Sequence, residues 1–541
     1  MKVTEISLSL AMGRGAPAET EADDAFSPVR GVVTCLGPHP SANVRRHLRE
    51  RCLALAGHRG SEEQVRFSCA PYRVCPLGAH IDHQGGTVAG FALNMGICIA
   101  YIPSPKDDRG EIKLAATRDG EGEPSTFEMH VTDDPEPSDD WTAFVRGVVH
   151  VVRGWASEKG VRCDAGFTGV ISGFPGGLEG GGISSSAALT VALIHAFRDA
   201  NNLTSFIRRE DVVRLAQRVE HEWRGVRCGI LDQGCVVMSK PGALTVLDCA
   251  EYQRRFAKAD DPTTSTSRGT SATLRRSGSD DTDEETSPQN PLRWFGGDWT
   301  PSRHGPSRID PNVDESGREV SKDFWDDGPD AGSDLPFAVV LAFSGIRKPL
   351  TRTGYNDRVD ECQRAARLLL DASGRGVPRD VTPLLHMVTR EEWTAARDAM
   401  EMTSEEILPA NLARRARHFF EENQRVANGV RAWRDGDVAS FGALVNASGA
   451  SSVENYECGC EQITALWKIA KNAAGVFGAR FSGAGFRGCV VALCEPGRAA
   501  MDAAESIAGE YARLYPDLAA DAPVIVTRPG RGAFILRNED Q

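Results

Sequence analysis

The sequence predicts an α+β fold in two or three domains, and three observations carry that expectation. The chain has 541 residues, more than one ordinary core accommodates. Strand-like and helix-like stretches interleave along both of its halves. Between the halves, from about Glu251 to Asp334, the composition shifts abruptly to Ser, Thr, Asp, Arg, Gly and Pro. Such a segment cannot bury enough apolar area to offset the ordering of its backbone, so it is expected to be disordered. The expected division is an extension over 1–41, a first domain over 42–254, the insertion over 255–334 and a second domain over 335–541.

Taken in order, residues 1–41 read as loosely ordered because Gly, Ala, Pro and acidic residues dominate there. A helix is expected from Ala42 to Ala56 and a strand from Val65 to Ala70, broken at Gly85-Gly86 before the apolar run Phe91 to Tyr101. Ile112 to Ala116 and Thr126 to Val131 read as strands, Trp141 to Arg153 as helix and Ala165 to Ile171 as strand. Apolar helix then covers Ala187 to Ala200, and a further helix Asp211 to Glu222. After the insertion come a strand from Leu335 to Phe343 and a helix from Asn356 to Asp371, with Tyr355 at its start. More helix follows over Leu412 to Asp435. Its Arg415, Arg417, Glu421 and Glu422 have spacings suited to pairing along a solvated face.

Composition narrows the function. Hydrophobic residues at 41% and charged residues at 25% fit a soluble globular protein, and a net charge of −13 argues against a general nucleic-acid or membrane-surface binder. The fourteen cysteines show no Cys-x-x-Cys spacing. The first forty residues have no long apolar core and carry Glu19, Glu21, Asp23 and Asp24. Reduced thiols in the cytoplasm, with no membrane span, are therefore expected.

Four stretches carry chemistry. From Ala70 to Asn94, Arg73, His80, Asp82 and His83 lie among Val74, Leu77, Ile81 and Val88, a mixture that needs a buried network or a polar ligand. From Gly176 to Leu189 a glycine-rich loop with Ser184-Ser185-Ser186 opens into an apolar helix, as an anion-binding helix start does. The Lys of an ordinary P-loop is missing, and a plain linker would not open straight into such a helix. Gly229-Ile230-Leu231-Asp232-Gln233 sets an acid among apolar residues, read either as a partly buried carboxylate or as a helix cap. Gly478 to Gly488 is a second glycine-rich turn beside a strand, suited to tight packing or to a wall of the same ligand site.

The stretch Arg73 to Asp82, the loop Gly180 to Ala188 and the turn Gly478 to Gly488, in this order, resemble the three signature motifs of the GHMP small-molecule kinases, in the galactokinase branch. The resemblance covers most of 42–254 and 335–535. It implies a two-domain GHMP kinase fold with the active site in the cleft between the domains, and an ATP-dependent sugar-1-kinase working as a monomer on an acidic hexose. By this resemblance Asp232 and Arg73 are catalytic, and Ala79, His80, Asp82, Gly229 and Tyr355 contact the sugar. Gly180, Gly181, Gly182, Ser184, Ser185, Ser186 and Ala187 hold ATP, and Ser186 with Glu220 holds Mg²⁺. Ala79 departs from the Glu usual in galactokinases. It removes a charge and opens space, which suits a sugar whose sixth carbon is a carboxylate, and the form Pro71 to Gly86 is similar to that of galacturonokinases. D-Galacturonate at its anomeric hydroxyl is the expected substrate, with glucuronate and galactose as alternatives. Arg487 replaces a usual Gly and is read as an anion contact or a surface arginine.

Two other readings remain. A non-catalytic sugar sensor is disfavoured by the intact Ser184 to Ala188 and Asp232. A transition-metal site at His80, Asp82 and His83 lacks a remote fourth ligand.

Overall fold

In a computed structural model, the described residues are 31–537, apart from 37–38, 58–59, 105–109, 118–123, 134–137, 139, 175–177, 179–180, 261–290, 297–334, 347–353 and 404–406. The first elements among the described residues are strand β1 (Val32–Cys35) and helix α1 (Ala42–Ala56), whose Ser41 Oγ accepts the Val44 N–H at 3.3 Å. β2 (Arg66–Leu77) and β3 (Thr87–Pro103) form a long antiparallel hairpin, almost wholly buried because both strands are apolar on both faces. β4 (Glu111–Thr117), β5 (Ser125–His130), α2 (Thr142–Glu158) and β6 (Phe167–Phe174) follow. Next come α3 (Ser185–Ala200), α4 (Arg209–Arg224), α5 (Leu231–Met238), β7 (Ala243–Asp248) and α6 (Cys249–Asp260).

The later chain gives β8 (Leu292–Gly296), β9 (Ala338–Phe343), α7 (Tyr355–Ala372), α8 (Arg390–Thr403), α9 (Ala410–Arg434), α10 (Val438–Glu454) and α11 (Glu461–Asn472). It ends with β10 (Val476–Phe481), β11 (Cys489–Cys494), α12 (Arg498–Leu514), α13 (Pro516–Ala519), β12 (Val524–Thr527) and β13 (Phe534–Leu536). Among the described residues the strands form two sheets. One runs β13-β2-β3-β6-β4-β5, with β7 paired to β3 and β8 to β7, and the other runs β1-β12-β9-β11-β10. This is the expected α+β architecture, and α1 has the expected bounds.

The ends of the chain cross the expected domain boundaries. β1, expected within a loose extension, pairs in parallel with β12 and buries Val32 and Cys35. β13 returns to the first sheet and pairs with β2. Both strands are too short for a hydrophobic period to stand out from their Gly- and Pro-rich surroundings. Residues 1–30 lie outside the described residues, as does most of the insertion. Two parts of the insertion are nevertheless ordered. α6 extends to Asp260, and β8 pairs with β7, where Trp294 Nε1 donates to the Met238 carbonyl at 2.7 Å.

Of the four charges of α9 expected on a solvated face, Arg417 and Glu421 are exposed there, and the other two correct the expectation. Arg415 is fully buried and donates to Glu361, to Glu457 and to the Asn455 carbonyl, while Glu422, equally buried, pairs with Arg425 and Arg480. Helical spacing is identical for exposed and buried charges; apart from Arg425 on α9 itself, their partners here come from elements outside that helix. Arg415→Ala should lower stability by about 3 kcal/mol, because it strands the opposing carboxylates. Urea unfolding checks this as a lower midpoint at unchanged slope. Among the described residues, no helix is long and apolar enough to cross a membrane, and the fourteen cysteines form no disulfide.

Candidate active site

β2 is interrupted by register shifts between Pro71 and Arg73 and between Val74 and Leu77, irregularities of the kind that re-aim side chains. Arg73 emerges there, nearly buried. Its Nε and Nη2 both donate to Asp232 Oδ1, at 2.9 and 2.6 Å, and its Nη1 donates to the Gly182 carbonyl at 3.2 Å. Burial pulls the Arg73 pKa down, but the Asp232 charge and hydrogen bond outweigh it and the net shift is upward. Asp232 lies in the first turn of α5 and keeps 29% of its side chain exposed into a cleft between the two sheets' domains. It is a partly buried carboxylate rather than a helix cap, since α5 is capped at Ile230.

The Gly182 carbonyl also accepts from Ser482 Oγ at 2.9 Å, so the first, second and last glycine-bearing motifs meet at one atom. Gly182 has φ +82°, and a Cβ there would stand 2.6 Å from the Ser482 carbonyl; no other residue fits. Ser184 then takes φ 59° and hands the chain to α3, with Ser184, Ser185 and Ser186 lining the cleft and Ala187 buried behind them. The N–H groups of a helix's first turn point out of the helix's own hydrogen-bond ladder, which suits this start of α3 to cradling phosphate. Gly181 closes the preceding turn by donating to Leu178 O at 3.0 Å, while Gly180 lies outside the described residues.

Ala79, His80, Asp82 and Tyr355 line the other end of the same cleft. His80, at φ 64°, stacks on Tyr456 with ring centroids 4.3 Å apart. Burial, then the Asp232 charge, pushes Asp82 up to about 6, against backbone hydrogen bonds from His83 and Leu231. Gly229 packs on Asp82 so closely that a Cβ would lie 2.3 Å from its carboxylate. His83 sits behind this wall. Gln84 Nε2 donates to its Nδ1 at 2.9 Å, which leaves Nε2–H to donate to the Tyr456 hydroxyl at 3.0 Å. Both ring nitrogens are thus engaged with protein, which weighs against the transition-metal reading. Among the described residues, no group of three or more His, Cys, Asp or Glu is placed to hold a metal by itself.

Glu220 of α4 reaches the cleft beside α3. Burial pushes its carboxyl up to about 7, against a hydrogen bond from Ser186 and with a further rise from Asp232. A hard divalent cation that draws most of its oxygens from a nucleotide and water needs only one or two protein ligands, and the Ser186 hydroxyl with the Glu220 carboxylate is such a set. Arg487, half-buried, lines the cleft on the β10–β11 turn and so is no plain surface arginine. The sequence reading gave no site role of their own to Cys75, Val226, Cys228, Leu231, Phe481, Gly483 and Ala484, which complete the lining. Their apolar character gave no signal apart from neighbouring motif residues.

A phosphate cradle facing a carboxylate–arginine pair across a cleft defines a small-molecule kinase. Residues 144–240 match the model of the GHMP kinases N terminal domain, and residues 429–513 that of the GHMP kinases C terminal. Galacturonokinase of Arabidopsis thaliana is 33% identical over 516 residues, covering 92% of this chain and 99% of that one. Galactokinase of Roseiflexus sp. (strain RS-1) is 28% identical over 83% and 87% of the two chains. The crystal structure of Lactococcus lactis galactokinase complexed with galactose shares the fold, with TM-score 0.63 and 22% identity over 91% of this chain and 99% of that one. The chain belongs to the GHMP kinases, in their galactokinase branch, and is a sugar kinase.

Proposed function

We propose that the protein transfers the γ-phosphate of ATP to the anomeric hydroxyl of D-galacturonate, giving D-galacturonate 1-phosphate and ADP. The observation that carries this reading is the Arg73–Asp232 pair, set between the α3 cradle and the Ala79–Asp82 wall. Both arginine bonds fall on Asp232 Oδ1, so Oδ2 is the oxygen that a substrate hydroxyl would meet. Asp232 orients that hydroxyl and accepts its proton, Arg73 opposes charge on the transferred group, and the N–H groups of Ser185, Ser186 and Ala187 hold the nucleotide phosphates. His80, Asp82 and Tyr355 fix the sugar ring. Ser186 and Glu220 would hold Mg²⁺, which would supply neutralisation of the phosphate charge.

The acid-sugar assignment is supported by Ala79, which presents a methyl group where a carboxylate would repel the substrate's own, and by the similarity to galacturonokinase. Phosphorylation at the anomeric oxygen abolishes the reducing end of the sugar. An ATP-dependent loss of reducing galacturonate is therefore the test, and phosphorylated product that still reduces would place the transfer elsewhere. Binding of both substrates without any transfer would favour the sugar-sensor reading.

Glu220 gives a pH-dependent prediction. A carboxyl at about 7 carries a proton below that pH and must lose it to ligate a cation. The Mg²⁺ concentration for half-maximal rate should rise as pH falls from 8 to 6, approaching about ten-fold per unit. Glu220→Gln should flatten this dependence while raising the requirement at pH 8. Mg²⁺ titrations at the two pH values check it.

A further inference from the structure

The turn that carries Ala79 and His80 belongs to the β2–β3 hairpin, yet its polar groups are satisfied from the second half of the chain. The Gly78 N–H donates to Glu422 Oε1 at 2.9 Å, and the Ala79 carbonyl pairs with His418 Nε2 at 3.0 Å. Leu385 N–H donates to Gln84 Oε1 at 3.2 Å, His386 Nδ1 pairs with the Gln84 carbonyl at 3.1 Å, and the Thr87 N–H donates to Asn423 Oδ1 at 2.9 Å. Two of these bonds bracket Ala79, one from the residue before it and one from its own carbonyl. Together they fix the direction of its Cβ.

The bracket is rigid at its far end as well. A carbonyl only accepts, so His418 Nε2 carries the hydrogen, and Nδ1 accepts from Ser451 Oγ at 2.9 Å. Glu422 Oε1 also accepts from Ser448, and Arg480, fully buried, donates to the Ser448 and Ser452 hydroxyls. α9 and α10 are thereby locked to each other and to the turn. His80, at φ 64°, stacks its ring on that of Tyr456, just beyond the end of α10.

We infer that His418 and Glu422 are positioning residues for the sugar: through the Gly78 N–H and the Ala79 carbonyl, α9 sets where the Ala79 methyl and the His80 ring stand. Sugar selection is then a property of the contact between the domains as well as of the turn's own side chains. This rests on the reading of the Ala79 end of the cleft as the sugar site.

The test compares His418→Leu, which removes the donor at similar volume, with His418→Gln, which can restore it. The sugar used is whichever of galacturonate, glucuronate and galactose the unchanged protein phosphorylates best. A preference other than galacturonate would therefore overturn the substrate reading and still leave the comparison interpretable. His418→Leu should raise the KM for sugar about ten-fold, the effect of one lost buried hydrogen bond, with the KM for ATP changed less than about two-fold. It should also narrow the ratio of kcat/KM between the best and second-best sugars, and His418→Gln should recover most of both. If His418→Leu does not fold, Ser451→Ala, which loosens the imidazole from behind, should show the same split at smaller size. An unchanged sugar KM and sugar ratio in a folded variant, or equal losses for sugar and ATP, would overturn the inference.

Discussion

Asp232→Asn should lower kcat by about 10³-fold while leaving the KM for sugar within a few-fold of its original value. The substitution preserves shape and an oxygen for Arg73, so the pocket keeps its form. In the proposed mechanism it removes the group that takes the proton as the anomeric oxygen attacks, an interaction made in the transition state. Arg73 Nε and Nη2 both bond Asp232, and Arg73 is nearly buried. Losing the negative charge therefore also leaves a desolvated guanidinium with a weaker partner. A cost in stability of about 1–3 kcal/mol should accompany the kinetic loss. Steady-state kinetics together with urea unfolding separate the two. Full activity in the Asn protein would remove Asp232 from the chemistry.

Ala79→Glu should lower kcat/KM for galacturonate by about 10²-fold, with little change in the KM for ATP. Ala79 is almost buried and lines the cleft, so a Glu there points its carboxylate into a space with little water to screen it. Two like charges about 4 Å apart, at the effective dielectric of a partly exposed site, repel by about 4 kcal/mol, of which side-chain movement relieves some. Galactose, having no carboxylate, should be spared that repulsion. The ratio of galactose to galacturonate turnover is therefore the sensitive readout, and an unchanged ratio would break the link between Ala79 and specificity.

The parts of this molecule legible in its sequence are those where local chemistry and local structure coincide. The helix expected from Ala42 to Ala56 formed with those bounds, and glycines beside serines before an apolar helix marked the α3 cradle, each from a short local stretch. The Arg73–Asp232 contact spans 159 positions, and only the resemblance of the surrounding motifs placed those two residues together. Long-range pairing was otherwise illegible. β1 and β13 are short strands whose partners lie at the opposite end of the chain, so neither carries a period of its own. Arg415 and Glu422 look like surface charges until Glu361, Glu457 and Arg480 are brought against them. His418 offered a faint signal, an imidazole beside Ala416, Phe419 and Phe420 on a buried helical face. Nothing local marked the Ala79 carbonyl as its partner.

The central claim is phosphoryl transfer from ATP to galacturonate, and the most direct measurement is kcat/KM for galacturonate, glucuronate and galactose under saturating ATP and Mg²⁺. The highest value is expected for galacturonate. A value for galactose equal to or above it would rule out galacturonate as the preferred sugar.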